Sequence, residues 1–284
     1  ILNEADIIEN LLKHLLQNSS EELISEIIIV DGGSTDGSQN KISKFSNVIL
    51  LNSEKGRAKQ MNFGAKHATG NILYFLHADS FPPKNFDQAI INEIKNENDA
   101  GCFIMRFNSN HWWLKLAGWL TCLNCKACRG GDQSLFITQS LFNHIGGFNE
   151  NFTIYEDNDF IEKLYTKNKF VIIKKWLTTS ARRYNTNGLW KLQYHFLIIH
   201  LKKWFGASAE NLNNYYKKRY QPENLVIAVA GNVKHDDVVE LVKKAMGDFL
   251  STKAQPANIR TSTTAKIAGQ GEIGIIYKKI EQAN

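Results

Sequence analysis

Apolar residues recur along this chain in two alternating rhythms. In Ala5–Gln17 the positions Ile7, Ile8, Leu11, Leu12, Leu15 and Leu16 fall at helical spacing and predict an amphipathic helix. Ile27–Val30 is an unbroken branched run with no polar face, the pattern of a strand covered on both sides. It stops abruptly at Asp31. Ser38–Phe45 reads as a short helix, "NVILL" as a second strand, and Arg57–His67 as a helix that Gly70 closes. "NILYFLHAD" is another buried strand ending in an acid, Phe86–Lys95 a helix and "GCFIMRF" a strand. Such alternation predicts the α/β class, with a mostly parallel sheet flanked by helices.

From Trp112 the pattern changes. An aromatic helix leads into "CRGGDQSLFIT", a strand is expected near Phe170–Ile173, and "SARRYNTNG" precedes a long helix through Trp204. A last short helix ends near Tyr220. Composition then shifts, which places a domain boundary there and divides the chain into 1–220 and 221–284. In the second part Val226–Val229 is a strand, and Val238, Val239, Leu241, Val242, Ala245 and Met246 stripe the helix after it. A unit so small buries little surface. An open strand edge on it would invite self-association.

Bulk numbers add little until charge is considered. The 284 residues are 43% hydrophobic and 22% charged, ordinary for a soluble globular protein. The net charge of +6 suits anionic partners such as phosphates, nucleotides or an acidic membrane surface. No nucleic-acid partner is expected. No apolar run approaches the roughly 20 residues of a membrane span. "WWLKLAGWLTCL" and "FLIIHLKKWFG" have the composition to lie on a membrane surface, although ordinary amphipathic helices share it. The chain opens on "ILNEAD" without an initiator Met or a signal peptide, so its N-terminus reads as cut. Cys122, Cys125 and Cys128 have the spacing of an iron–sulfur motif but lack a fourth ligand. They read instead as reduced thiols on a helix face in a cytoplasmic protein, possible peripheral contact being with the inner face of the membrane.

Candidate chemistry lies where strands end. Asp31 and Asp79 are delivered to one edge of one sheet, and "EDND" opens a helix with Glu156, Asp157 and Asp159. Carboxyl ends of strands are where open α/β sheets bind ligands. Convergent carboxylates suit a divalent metal and a general base. Lys55, Arg57, Lys59, Arg182 and Arg183 lie between them and could hold a diphosphate. Taken alone, "DGGSTDGS" is equally a βα turn with a capping Asp, and the basic residues are equally a solvated helix face.

In order, "LNEAD", "VDGGSTDGS", "GRAKQMNFGAKHATGNILYFLHADS", "GGDQSLFI", "GGFNE", "YEDNDF" and "ARRYNTNG" resemble family 2 glycosyltransferases of the GT-A fold. The likeness is strongest to a small bacterial subgroup with a His-Ala-Asp metal motif, and covers about Ile1 to Tyr220. It implies an inverting, metal-dependent transfer from a nucleotide-diphosphate sugar to an acceptor that is a lipid, a saccharide or a small molecule. Asp31 would contact the nucleobase, with Glu4 at base or ribose, while Arg57 and Asn62 would line the nucleotide pocket. Asp79 would bind Mn²⁺ or Mg²⁺. Asp132 and Gln133 would sit at the donor sugar. Asp157 would be the catalytic base with Glu156 beside it, and Arg182 and Arg183 would neutralise the leaving diphosphate.

Two departures stand out. "HAD" offers one acid where the family's metal motif carries two, so His77 is either a second ligand or structural. The strand that normally precedes "LNE" is absent, which removes a central sheet member. A nucleotidyltransferase and a catalytically inactive binding scaffold are the rival readings. The segment "YYKKRYQPENLVIAVAGNVKHDDVVELVKKAMGDF" resembles pitrilysin/insulinase-type peptidase domains. The zinc motif His-x-x-Glu-His of those enzymes is nowhere in the chain, so no peptidase activity carries over.

Overall fold

A computed structural model describes residues 1–130, 133–166, 170–217, 234 and 236–242. By its contacts the chain divides into two units, Ile1–Lys217 and Lys218–Asn284. In the second, residues 236–242 are helical and Leu241 is exposed. The expected strand Val226–Val229 lies outside the described residues, as does Asp132.

The first unit runs α1 (Ala5–Asn18), β1 (Ile27–Asp31), α2 (Ser38–Ile42), β2 (Val48–Asn52), α3 (Arg57–His67), β3 (Ile72–Phe75), β4 (Ser80–Phe81), α4 (Phe86–Lys95) and β5 (Ala100–Phe107). It continues with α5 (Trp112–Leu120), a short 3-10 turn at Lys126–Cys128, β6 (Leu135–Thr138), α6 (Gln139–Ile145), α7 (Glu156–Thr166), β7 (Phe170–Thr179), α8 (Arg182–Asn187), α9 (Leu189–Trp204) and α10 (Ala209–Lys217). The predicted α/β alternation holds. The two longest pairings are parallel, β1 with β2 and β5 with β7. Three shorter ones, β3–β6, β5–β6 and β4–β7, are antiparallel.

The strands form two groups rather than one continuous sheet. β1 and β2 make a pair, while the other five follow the order β3-β6-β5-β7-β4. Asp31 and Asp79 are therefore not on one edge of one sheet. Asp79 is also not at a strand end: β3 stops at Phe75, and Asp79 lies in the loop before β4. Ile1 touches the open side of β1 in a parallel pattern. Its amine donates to the Val30 carbonyl at 2.6 Å, and the Gly32 N–H donates to the Ile1 carbonyl at 3.0 Å. Burial pushes the pKa of that amine below its ordinary value.

Two apolar cores flank the larger sheet. One joins α1, α4 and β1 to Phe103, Met105 and Phe136. The other joins α3, α6 and α7 through Phe142, Phe148, Phe160 and Leu164. β5 is central, and Gly101 marks its tightest point. A Cβ there would lie 2.3 Å from the Val171 carbonyl oxygen and 2.7 Å from the Phe136 ring. Only glycine lets β6 and β7 close on β5 from both sides.

Candidate active site

A cavity of about 1100 Å³ opens between β1 and β3. Its inner walls are apolar, from residues such as Ile29, Val30, Leu73, Phe75 and Ile90. The charged side chains Glu4, Lys55, Arg57, Asp79, Asp157, Arg182 and Arg183 also line it, with His77. These charged residues, from five separate stretches of sequence, thus meet at one opening.

Arg57, the first residue of α3, ties the acids together. Its Nε is 3.1 Å from Glu156 Oε1, and its Nη2 donates to Asp157 Oδ2 at 2.9 Å. The same Nη2 lies 2.9 Å from His77 Nε2. It also lies 3.3 Å from Nδ1 of the same ring. His77 Nε2 is in turn 4.0 Å from Asp157 Oδ2. Both acids occupy the first turn of α7, where the helix dipole favours negative charge. The residue before them, Tyr155, has φ +78°. That left-handed backbone is strained for a bulky residue, and such outliers gather at functional sites.

The two acids differ sharply in setting. Asp157 lines the cavity. Glu156 is 1% exposed, and among the described residues neither of its oxygens accepts a well-aligned hydrogen bond. Burial pushes its carboxyl up to about 7, with Asp157 adding to the rise and Arg57 and Arg183 opposing it.

A second cation–carboxylate group faces the same opening. Arg182 Nη2 reaches both oxygens of Glu4, at 3.0 and 2.9 Å. Glu4 raises the pKa of Arg182, and Asp79 adds a smaller push in the same direction. The Ser180 N–H donates to the Asp79 carbonyl at 3.1 Å, fixing the "HAD" loop to the "ARRY" turn. Among the described residues no three His, Cys, Asp or Glu side chains form a group able to hold a metal ion. Asp79, one of several carboxylates that line the cavity, is an oxygen donor suited to a hard divalent cation that takes its other oxygens from phosphate and water.

Other predicted residues are placed differently. Asp31 is fully buried and does not line the cavity. Its carboxylate accepts from the Ser34 hydroxyl at 2.5 Å, the Ser34 N–H at 3.1 Å and the Gln39 amide at 2.5 Å. Burial pushes its pKa up, but the Ser34 and Gln39 hydrogen bonds outweigh that and leave it below the ordinary value. Asn62 is also off the cavity lining. It clasps the "GGFNE" turn, donating to the Phe148 carbonyl at 2.9 Å and Glu150 at 2.8 Å and accepting from the Phe148 N–H at 2.9 Å. Gly147 approaches it so closely that a Cβ would lie 2.8 Å from Asn62 Oδ1.

Gln133 is buried in a network the pattern did not reveal. Its amide oxygen accepts from Arg129 at 2.6 Å, and its amide nitrogen donates to the Cys128 carbonyl at 2.7 Å. Arg129 is itself buried, and its Nη2 donates to the Thr121 and Leu123 carbonyls at 2.6 and 2.5 Å. The Cys125 and Cys128 sulfurs lie 3.0 Å apart in the same loop. Ser134, next to Gln133, does reach the cavity, with φ +62° and its hydroxyl accepting from Tyr74 at 3.1 Å.

Residues 1–158 match the model of glycosyl transferase family 2. The chain belongs to this family. Solved structures place its fold. Staphylococcus aureus TarS, residues 1–349 in complex with UDP, is 18% identical with a TM-score of 0.54, covering 87% of this chain and 78% of that one. The mannosyltransferase PcManGT of Pyrobaculum calidifontis, in complex with GDP-Man and Mn²⁺, is 17% identical with a TM-score of 0.52, covering 87% and 78%. Such likeness establishes the GT-A architecture. Residues 206–282 match the Peptidase M16 inactive domain. An uncharacterised zinc protease of Streptomyces coelicolor is 35% identical over 80 residues, 27% of this chain and 17% of that protein. One of Mycobacterium leprae is 46% identical over 73 residues, 26% and 16%. The chain spans only that small share of these relatives.

Proposed function

We propose that this family 2 enzyme transfers a sugar from a nucleotide-diphosphate donor to an acceptor hydroxyl, with inversion at the anomeric carbon. The observation that carries this reading is the meeting of Asp157, Arg57, Asp79, Arg182 and Arg183 at one cavity. A hydroxyl is a poor nucleophile until a carboxylate within hydrogen-bond reach takes its proton. Asp157 has that role, because it faces the cavity while Glu156 is sealed behind it. Arg57 holds Asp157 in place, and Glu156 holds Arg57. Arg182 and Arg183 meet the leaving diphosphate with charge-assisted hydrogen bonds. A divalent ion, Mn²⁺ or Mg²⁺, would neutralise the diphosphate further, and Asp79 is the carboxylate that would hold it. Attack from the face opposite the leaving group needs no covalent enzyme intermediate. The nucleotide-bearing neighbours of the same fold support the donor class.

Asp79→Ala tests the donor side of the site. Calorimetric titration of UDP and of GDP with Mn²⁺ should show binding to the wild type and none to the variant, at unchanged melting temperature. Equal affinity in both proteins would overturn the assignment of Asp79.

A further inference from the structure

α5 and α9 carry apolar stripes that face the wrong way for helices in water. On α9 the exposed positions Trp190, Tyr194, Leu197 and Trp204 follow one another at helical spacing, and Phe205 extends the line. Trp204 and Phe205 are 81% and 84% exposed. On α5 the exposed positions are Trp112, Leu116 and Trp119, with Leu123 just beyond the helix. The two stripes are joined. Trp190 lies 6.4 Å from the Trp112 ring and 5.5 Å from the Trp113 ring. A patch this large on a folded surface marks a contact with something else.

Its chemistry selects the occupant. Neither helix contains an Asp or Glu. Lys115, Lys191 and Lys202 are exposed beside the stripes. Tryptophan and tyrosine concentrate at bilayer interfaces, and basic residues beside them meet anionic headgroups. A second copy fits less well, because a two-fold contact would set like charges against each other. We infer that the α5–α9 face docks on an anionic membrane surface and lies in it without crossing. No helix among the described residues is long and apolar enough to cross. The inner side of α9 sends Leu192 and Phe196 into the wall of the cavity. A docked enzyme would therefore hold its cavity close to the bilayer, where a lipid acceptor would be at hand. That last step rests on the proposed transfer reaction, whereas docking itself does not.

The full chain should pellet with vesicles of phosphatidylcholine and phosphatidylglycerol and remain in solution with phosphatidylcholine alone. Tryptophan emission should shift to the blue on binding, and added salt should reverse both effects. Trp119→Ser combined with Trp204→Ser should weaken association at least tenfold, and Lys115→Ala roughly fivefold. Nucleotide binding should be unchanged in both variants, which separates this result from the fate of the transfer reading. If the double variant does not fold, the salt dependence and blue shift of the wild type still decide. Absence of binding to either vesicle would overturn the proposal. So would a dimer on gel filtration that the tryptophan substitutions dissolve while vesicles bind nothing, since a second copy would then cover the face.

Discussion

Asp31 and Glu156 are both buried carboxylates, yet their surroundings drive them in opposite directions. Asp31 sits in a turn of small residues that supply donors from Ser34 and Gln39. Its pKa falls despite burial. Glu156 is equally buried but receives no aligned hydrogen bond among the described residues, with the Arg57 guanidinium 3.1 Å away. Its pKa climbs to about 7. Burial alone does not decide whether a carboxylate stays charged; the supply of aligned donors does. The β1 turn is framework already satisfied within itself. The start of α7 holds groups whose interactions are incomplete, as a site that must receive a substrate requires.

If that contrast is right, damage at the start of α7 should be read in rate and damage at the β1 turn in stability. The largest effect is expected from Asp157→Asn. Nucleotide binding should persist while sugar transfer drops by about 10²–10⁴, the usual worth of a positioned base. Unchanged transfer in a steady-state assay would remove Asp157 from the chemistry.

Ser34→Ala should act on folding instead. It removes the 2.5 Å hydroxyl bond to Asp31 and a 2.8 Å bond from the Asn3 N–H. Denaturant unfolding should show a loss on the order of 1–3 kcal/mol. The pH dependence has a definite sign. A carboxylate whose folded pKa lies below its unfolded 3.8 stabilises above that pH and loses the contribution as acid protonates it in the fold. The variant should therefore unfold at a higher pH on acid titration. Identical acid midpoints would put the two buried acids on the same footing.

Glu156→Gln should give the smallest change, visible only as a slope. Here the folded pKa, about 7, lies above the unfolded 4.5. The contribution is fully present below 4.5 and is lost as pH rises through about 7. The melting temperature of the wild type should carry that decline, and the glutamine variant should lack it. Parallel melting profiles across this window would mean that Glu156 ionises as easily folded as unfolded.

Much of the framework was legible because it is local. Periodicity places α1, β1, α4 and β5, since each is written in consecutive residues. The ordered motifs brought Arg57, Asp79, Glu156, Asp157, Arg182 and Arg183 into view. What stayed hidden depends on partners distant in sequence. Asn62 reads as a pocket residue until Phe148 and Glu150, more than 80 positions away, are seen to occupy its amide. Arg129 reads as an ordinary cation, yet backbone carbonyls of its own loop enclose it. The antiparallel pairing of β6 between β3 and β5 has no signature in β6 itself, because side-chain alternation does not name the neighbour. Nor does an apolar helical stripe say which way it faces, so α5 and α9 read equally as helices lying on a membrane surface and as ordinary amphipathic helices.

Lys203 gives α9 a second consequence. Its ammonium lies 5.2 Å from the centre of the Phe152 ring and 5.9 Å from that of Tyr155, and 4.0 Å from Asp159 Oδ1. The helix with the outward stripe is thus fastened to the turn that presents Glu156 and Asp157. Free energies of binding at two coupled places are reciprocal. Whatever factor an occupant of the outer stripe imposes on nucleotide affinity, the nucleotide must return in full on that occupant. A titration in either direction then measures the same coupling constant, and Lys203→Ala is the substitution that should bring it toward unity.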